Sequence, residues 1–204
     1  KKGLKKSLYF YQDLATEKAA QELFDFCGNE NLVVEVLVNN AGMFYFGAAV
    51  DKPMALGHKM TMLHCTTPAD LCVLFGKAMK ERGSGYILNA SSITAFMSFP
   101  TIAVYQASKS YLLKFSKGLH HELSHYGVKV CCVCPGAVDT DLYNLPVKMR
   151  KRLCAIGVML KPEQIAKRGV RATLHGRKVK IPGVINYFFL LLCFLLFVFL
   201  CFVF

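Results

Sequence analysis

Short apolar runs alternate with longer stretches of helical periodicity along most of the chain, and that alternation limits the folds open to it. Strand-like runs stand at "LYFY" (8–11), "LVVEVLV" (32–38), "GYILNA" (85–90), "VKVCCVC" (128–134) and "KVKIP" (178–182). They are apolar at nearly every position, as expected of strands buried on both faces. Between the first two lies "TEKAAQELFDFCG", with apolar residues at 20, 23, 24 and 27, Thr16 as the expected N-cap and Gly28 as the stop. A second helix is expected through 54–83, kinked or broken near Pro68, and a third from Val104 to His125. Such strands separated by helices make a parallel sheet covered on both faces. The fold class is α/β, doubly wound. No internal repeat and no Gly/Ser linker divides the chain.

The end of the chain breaks the pattern. From Tyr187 to Phe204, eighteen residues contain no charge, no glycine and no proline. As a helix they are just long enough to cross a hydrocarbon core, and no polar stripe marks them as a core helix. The expected division is a domain over 1–183 and a hydrophobic membrane segment, a C-terminal transmembrane helix, over 184–204. The formal net charge of +12 includes a cluster just before that segment: Lys167, Arg168, Arg171, Arg177, Lys178 and Lys180. Positive charge beside a span marks the cytoplasmic side, which places the rest of the domain there. The other basic residues are scattered and are not interleaved with aromatics, so nucleic acid is excluded as a partner.

Nine cysteines do not make a disulfide scaffold here. "CCVC" at 131–134 lies in an apolar run, and Cys193 and Cys201 lie in the tail. Reduced, buried thiols are expected.

In parallel sheets, ligands sit beyond the C-terminal ends of the strands. Those ends carry Asn39-Asn40-Ala41-Gly42, Ser91-Ser92 and Pro135-Gly136, the last followed by "AVDTDL". A helix starting soon after the serines carries Tyr105 and Lys109, one turn apart and therefore on one face. The ordered set "NNAG", a serine thirteen residues before "YxxxK", and "PGxxxT" resembles the short-chain dehydrogenase/reductase family. The match runs over about residues 7 to 145 and less distinctly to 183, with a fainter likeness to the lipid- and steroid-type branches after 140.

The resemblance implies a Rossmann-type fold and an oxidoreductase that moves a hydride between NAD(P)(H) and an alcohol or ketone. The branch likeness leans toward NADP and a hydrophobic substrate. It gives Lys109 a second role, on the nicotinamide ribose, and sets Tyr105 beside the cofactor. Asn40, Ala41 and Gly42 would line the adenosine side, and Asp13 would touch the adenine. Pro135, Gly136, Val138 and Thr140 would hold the nicotinamide amide. The chemistry agrees with these roles. A phenol with a pKa near 10 exchanges protons poorly at neutral pH, and an ammonium one turn away favours the phenolate. Tyr105 could then give or take the proton at the reacting oxygen, which Ser92 would hold, with Ser91 next by spacing. A homodimer through the helices at 54–82 and 104–125 is also expected.

Two departures from the family pattern stand out. Many members carry an asparagine on the middle helix that supports the lysine through water; here alignment places His64, either in that role or as a packed helix histidine. Nor is there any G-x-G-x-x-G or TGxxxGxG turn for the pyrophosphate. The opening "KKGLKKSLYFYQDL" resembles the approach to the family's third strand. The resemblance therefore implies an N-terminally incomplete domain, without the first two strands, about fifty residues. On that expectation "LYFY" stands apart from the sheet or pairs directly with "LVVEVLV", whose edge is exposed, and the 204 residues alone bind no dinucleotide. The alternative is a membrane-anchored scaffold of the same fold, inactive for want of the phosphate turn.

A rival motif is "HELSH", in which His121, Glu122 and His125 match the zinc-protease helix H-E-x-x-H. At about 100° per residue both histidines point roughly 160° to 200° away from Tyr105. No third histidine stands in the metzincin position, and Glu163 is the one glutamate downstream. No metal site is expected.

Overall fold

The computed structural model describes residues 7–140 and 145–203; for residues 194 and 196–203 it describes the backbone alone. Its centre is a parallel sheet of β1 (Val36–Asn39), β2 (Gly85–Ala90), β3 (Val128–Val133) and β6 (Val179–Lys180), in the order β1-β2-β3-β6. Two short strands, β4 (Ala137–Val138) and β5 (Met159–Leu160), pair separately. The register sets Asn39 opposite Asn89 and Ala90 opposite Val133, so the main strands end at nearly one level.

The strands' apolar run-on is used on both faces. Leu37, Ile87, Val128 and Val130 meet α3 (Thr67–Arg82) and α4 (Ala103–Ser124) through Phe75, Met79, Leu119 and Leu123. Leu88, Cys131 and Val133 turn the other way, toward Ala172 and Ile165 of α6 (Pro162–Leu174). Fully burying one such side chain contributes about 1.5–3 kcal/mol. The second face is covered only over the middle of the sheet: Val36 and Val38 on β1 remain 47% and 50% exposed. The α/β parallel-sheet expectation holds.

Several local expectations do not. "LYFY" forms no strand; Phe10 stacks on Phe26 of α1 (Ala19–Asn29) with centroids 4.6 Å apart, while Tyr9 and Tyr11 are exposed. It stands apart from the sheet, one of the two arrangements expected. Of "LVVEVLV", only 36–38 lies in β1. Thr16 does not cap α1, because its hydroxyl donates to the Asp13 carbonyl instead of accepting from the helix. Gly28 lies within the helix, and Asn31, at φ 53°, makes the left-handed stop. Helices α5 (Val147–Ala155) and α6 were not anticipated.

The interruption near Pro68 is a π turn, Met62–Thr66, between α2 (Met54–Thr61) and α3. Pro68 has no N–H to give the His64 carbonyl, and its ring would collide with that carbonyl in an ordinary helix. One extra residue in the turn removes the conflict: the Thr67 N–H bonds back to Met62, five residues away.

The apolar tail is helical, α7 (Val184–Val203). Its first turns belong to the domain: Phe189 stacks on Phe99, and Leu190 packs against the cluster of Leu113, Cys132, Cys134 and Ile181. Among the described residues no helix is long and apolar enough to cross a membrane, so the expected transmembrane helix is not found. That expectation drew on Phe194 and residues 196–204, whose side chains lie outside the described residues.

Candidate active site

The level strand ends bring three loops to one edge of the sheet. Residues 40–43 follow β1, Ser91 and Ser92 follow β2, and residues 134–136 follow β3. The start of α4 crosses in front of them. Together they enclose a cavity of about 390 Å³. Asn40, Gly42, Ser91, Ser92, Tyr105, Lys109, Pro135, Gly136, Val138 and Thr140 all line it, joined by Met43, His64 and Ala90. Ala41 instead faces a neighbouring cavity of about 180 Å³ shared with Leu14 and Asn39. Asp13 lines neither; it accepts from the Ala15 N–H and pairs with Lys59 at 3.4 Å.

Tyr105 and Lys109 share one face of α4, with the ammonium 5.7 Å from the ring centroid. Lys109 is 6% exposed and donates one hydrogen bond, to the Ala90 carbonyl at 3.0 Å. Burial pulls its pKa down to about 8, against the opposing pull of the Cys132, Cys65 and Cys134 thiols. The Tyr105 ring sits edge-on to Phe44 at 4.8 Å and to His64 at 5.7 Å.

The two serines divide their work. Ser91 Oγ donates to the Lys109 carbonyl at 2.7 Å, so its proton is committed to holding α4 against β2. Ser92 Oγ accepts the Thr94 N–H at 3.2 Å, capping the short helix Ile93–Phe96, and among the described residues its own proton has no acceptor. Of the pair, Ser92 is the one able to donate into the cavity.

His64 sits on the π turn and is 1% exposed. Its Nε2 accepts the Met43 N–H at 3.0 Å, and its Nδ1 lies 2.9 Å from Ser108 Oγ. Burial, then the Lys109 charge, pushes its pKa down to about 3, so the ring is neutral. Gly42 permits this closeness: an added Cβ there would lie 3.2 Å from His64 Nε2 and 3.8 Å from Lys109 Nζ. Gly136 has a similar role. A Cβ there would collide with the Asn186 side chain of α7, which donates back to the Pro182 carbonyl.

Behind the cavity runs a buried polar chain that the sequence reading missed. Asn39 donates to Asn89 at 2.8 Å, Asn89 to Ser116 at 2.8 Å, and Ser116 to the Leu112 carbonyl at 2.6 Å. It ties β1, β2 and α4 together just below the site. The available signal was Asn89 itself, a polar residue inside an apolar strand, which requires a partner.

His121, Glu122 and His125 are exposed at the far end of α4, and among the described residues no group of three or more His, Cys, Asp or Glu is placed to hold a metal. The eight described cysteines are free thiols, five of them buried.

Residues 2–150 match the family model described as short chain dehydrogenase. Among curated proteins, retinol dehydrogenase 10-B of Danio rerio is 30% identical over 79% of this chain and 46% of its own length. The chain spans between 22% and 52% of the length of the first curated relatives it matches. Among solved structures, a short-chain dehydrogenase from Streptomyces avermitilis is 27% identical, with a TM-score of 0.75, over 89% of this chain and 72% of that one. A short-chain dehydrogenase from Sphingobium yanoikuyae in complex with NADPH, at 22% identity, shares the fold with a TM-score of 0.71 over 83% and 65% of the two chains.

Proposed function

The chain belongs to the short-chain dehydrogenase family, and from that premise we propose that it interconverts a hydrophobic alcohol and its carbonyl using NAD or NADP. The observation that carries this reading is the buried Lys109 ammonium, one helical turn from Tyr105, with a single hydrogen bond among the described residues, to Ala90.

The residues fit one half of the cofactor. Lys109 has three N–H donors and one acceptor, leaving two for the hydroxyls of a ribose. Pro135, Gly136, Val138 and Thr140 line the same cavity, where the nicotinamide amide would lie. Asn40, Ala41 and Gly42 are exposed and open toward the side where an adenosine would lie, with Asp13 further out. The chain has no glycine-rich turn for the pyrophosphate. The second reading is a scaffold of this fold without activity. Solved structures of this fold in complex with NADPH and with NADH support either nucleotide.

When bound, the reduced cofactor supplies the hydride. Tyr105 gives its phenolic proton to the oxygen of the carbonyl being reduced, or takes it back in the other direction. Lys109 favours the phenolate by its charge, and Ser92 donates its proton to the same oxygen. Phe44 and Phe46, packed edge-on at 4.6 Å, offer an apolar wall beside Tyr105, which favours a hydrophobic substrate. His64 fits a holding role better than a proton path, since both ring nitrogens are already engaged.

We place the domain at the cytoplasmic face of a membrane, attached by the apolar tail. The support is the cationic cluster before the tail and the exposure of Phe188, Leu191, Leu192 and Leu195 on α7. Pairing of two copies through α2–α3 and α4 is part of the same reading; Val73 and Tyr111 are exposed there.

The test is oxidation of NADPH and NADH with a panel of hydrophobic ketones. Turnover that is lost in Tyr105→Phe supports the enzyme. A folded, nucleotide-saturated protein that turns over no ketone of the panel, or turns it over equally well as Tyr105→Phe, overturns it in favour of the scaffold.

A further inference from the structure

A second cavity, of about 640 Å³, lies at the other edge of the sheet, where α6, β6 and the first turn of α7 meet. Arg168, Arg171 and His175 reach it from one face of α6, at positions three and four residues apart. Arg177 and Lys180 join them from the segment that leads into and through β6. Among the described residues no carboxylate lines the cavity. Among the described residues the salt bridges are Lys59–Asp13 and Arg150–Asp139, so none of these cations has an acidic partner.

Four cations and a histidine gathered around one hollow repel each other, and among the described residues no carboxylate is paired with them. An anion would offset that repulsion. Guanidinium groups converging from two elements suit phosphate, which accepts paired hydrogen bonds from each. The floor is apolar, made by Ala172 and Ile181, so the site is built for a ligand with both a charged and a greasy part. The remaining wall is α7: Tyr187 lines the cavity, and Phe188, Leu191, Leu192 and Leu195 continue outward from it, 43–69% exposed. A tyrosine at the join of a basic hollow and an apolar helix is the arrangement found at a membrane's headgroup level.

We propose that this cavity binds the phosphate headgroup of an anionic phospholipid, with α7 lying along the acyl region. The proposal rests on the membrane reading of the tail and adds to it a specific headgroup site. It requires no turnover and is separable from the oxidoreductase reading.

The test is co-sedimentation of the full chain with vesicles of phosphatidylcholine alone or with added phosphatidylserine or phosphatidylinositol phosphate. The chain should bind the anionic vesicles far better. The variant R168Q/R171Q/R177Q should lose about 100-fold in affinity for them, given about fivefold for each basic residue at the surface, and keep its weak binding to neutral vesicles. A control with the same charge loss on exposed α5, K148Q/K151Q/R152Q, should bind as the native chain does. Equal losses in both variants mean that net charge, not the cavity, is responsible, and overturn the site. Anionic binding unchanged in the cavity variant overturns it while sparing the tail. No binding to any vesicle overturns site and membrane reading together. Inorganic phosphate that protects the chain from thermal unfolding but leaves vesicle binding unchanged points to a soluble phosphate ligand, and overturns the lipid assignment.

Discussion

His64 Nδ1 lies 2.9 Å from Ser108 Oγ, and Ser108 gives its one proton to the Tyr105 carbonyl at 2.7 Å, so the imidazole is the donor. Its Nε2 lone pair is left for the Met43 N–H. One neutral tautomer thus clamps the loop after β1 to the helix that carries Tyr105 and Lys109. A proton on Nε2 would break the Met43 bond and set a second positive charge beside Lys109.

His64 should make the domain sensitive to acid. Its folded pKa, about 3, lies below the ordinary 6.5, so between these values the unfolded chain binds a proton that the folded chain refuses. Stability is therefore complete above pH 6.5 and falls as the pH drops toward 3, by up to about 1.4 kcal/mol per unit. His64→Ala should cost about 1–3 kcal/mol at pH 7, because Met43 and Ser108 lose their partner. In urea unfolding, the gap between native chain and variant should narrow from pH 7 to pH 5. A gap that stays constant would show that His64 is not held neutral.

Tyr105→Phe keeps the ring and its edge contacts and removes the acid. Turnover in the proposed reaction should fall by about two orders of magnitude or more, while nucleotide affinity barely changes. Lys109→Ala should damage both. Steady-state kinetics alongside nucleotide titration separates the cases, and near-normal turnover in Tyr105→Phe would sink the assignment.

Lys109 should impose an upper pH limit on nucleotide binding. Burial lowers its pKa to about 8, so the ammonium is present below that pH and lost above it. Affinity should decline as the pH rises from 7 to 9.5, and Lys109→Met should be weak and flat across the range. Equilibrium dialysis with NADH and NADPH measures this, and also the expectation that these 204 residues, lacking a glycine-rich turn, bind more weakly than micromolar.

The outer strand should govern solubility more than stability. Val36 and Val38 are half exposed on β1, at the edge of the sheet, where a flat apolar strand is a template for pairing with other chains. Val36→Lys with Val38→Lys should reduce aggregation in light scattering and change unfolding free energy by about 0.5 kcal/mol or less per site. By contrast, Ile87→Ala, at a fully buried position on β2, should cost about 2–5 kcal/mol.

The parts of this molecule legible in the sequence were those set by local spacing. "GYILNA" is β2 to the residue, α4 differs from its expected span by one residue at each end, and Tyr105 and Lys109 meet because four residues make a turn. What escaped depends on partners far along the chain. The His64 clamp joins residues 21 and 44 positions apart, and the Asn39–Asn89 bond spans 50. Thr16 has the chemistry of an N-cap, but a hydroxyl can equally close a turn with its proton, and Asp13's carbonyl claims it. The basic residues before the tail read as a flanking charge run because their gathering around one hollow requires α6 and β6 to be set side by side.

The π turn at Met62–Thr66 has one more consequence, which concerns phase. In a regular helix every side chain's direction follows from its count along the chain, about 100° per residue. The extra residue resets that count, so Met54–Thr61 and Thr67–Arg82 form one rod with two angular frames. Met60, packed near Tyr105, belongs to the first frame, and Leu71 and Phe75, packed on the sheet, belong to the second. Removing one residue from 62–66 would leave a helix of unbroken hydrogen bonding up to Pro68. It would also rotate the whole leading arm by roughly a quarter turn, carrying Met60 off the Tyr105 helix.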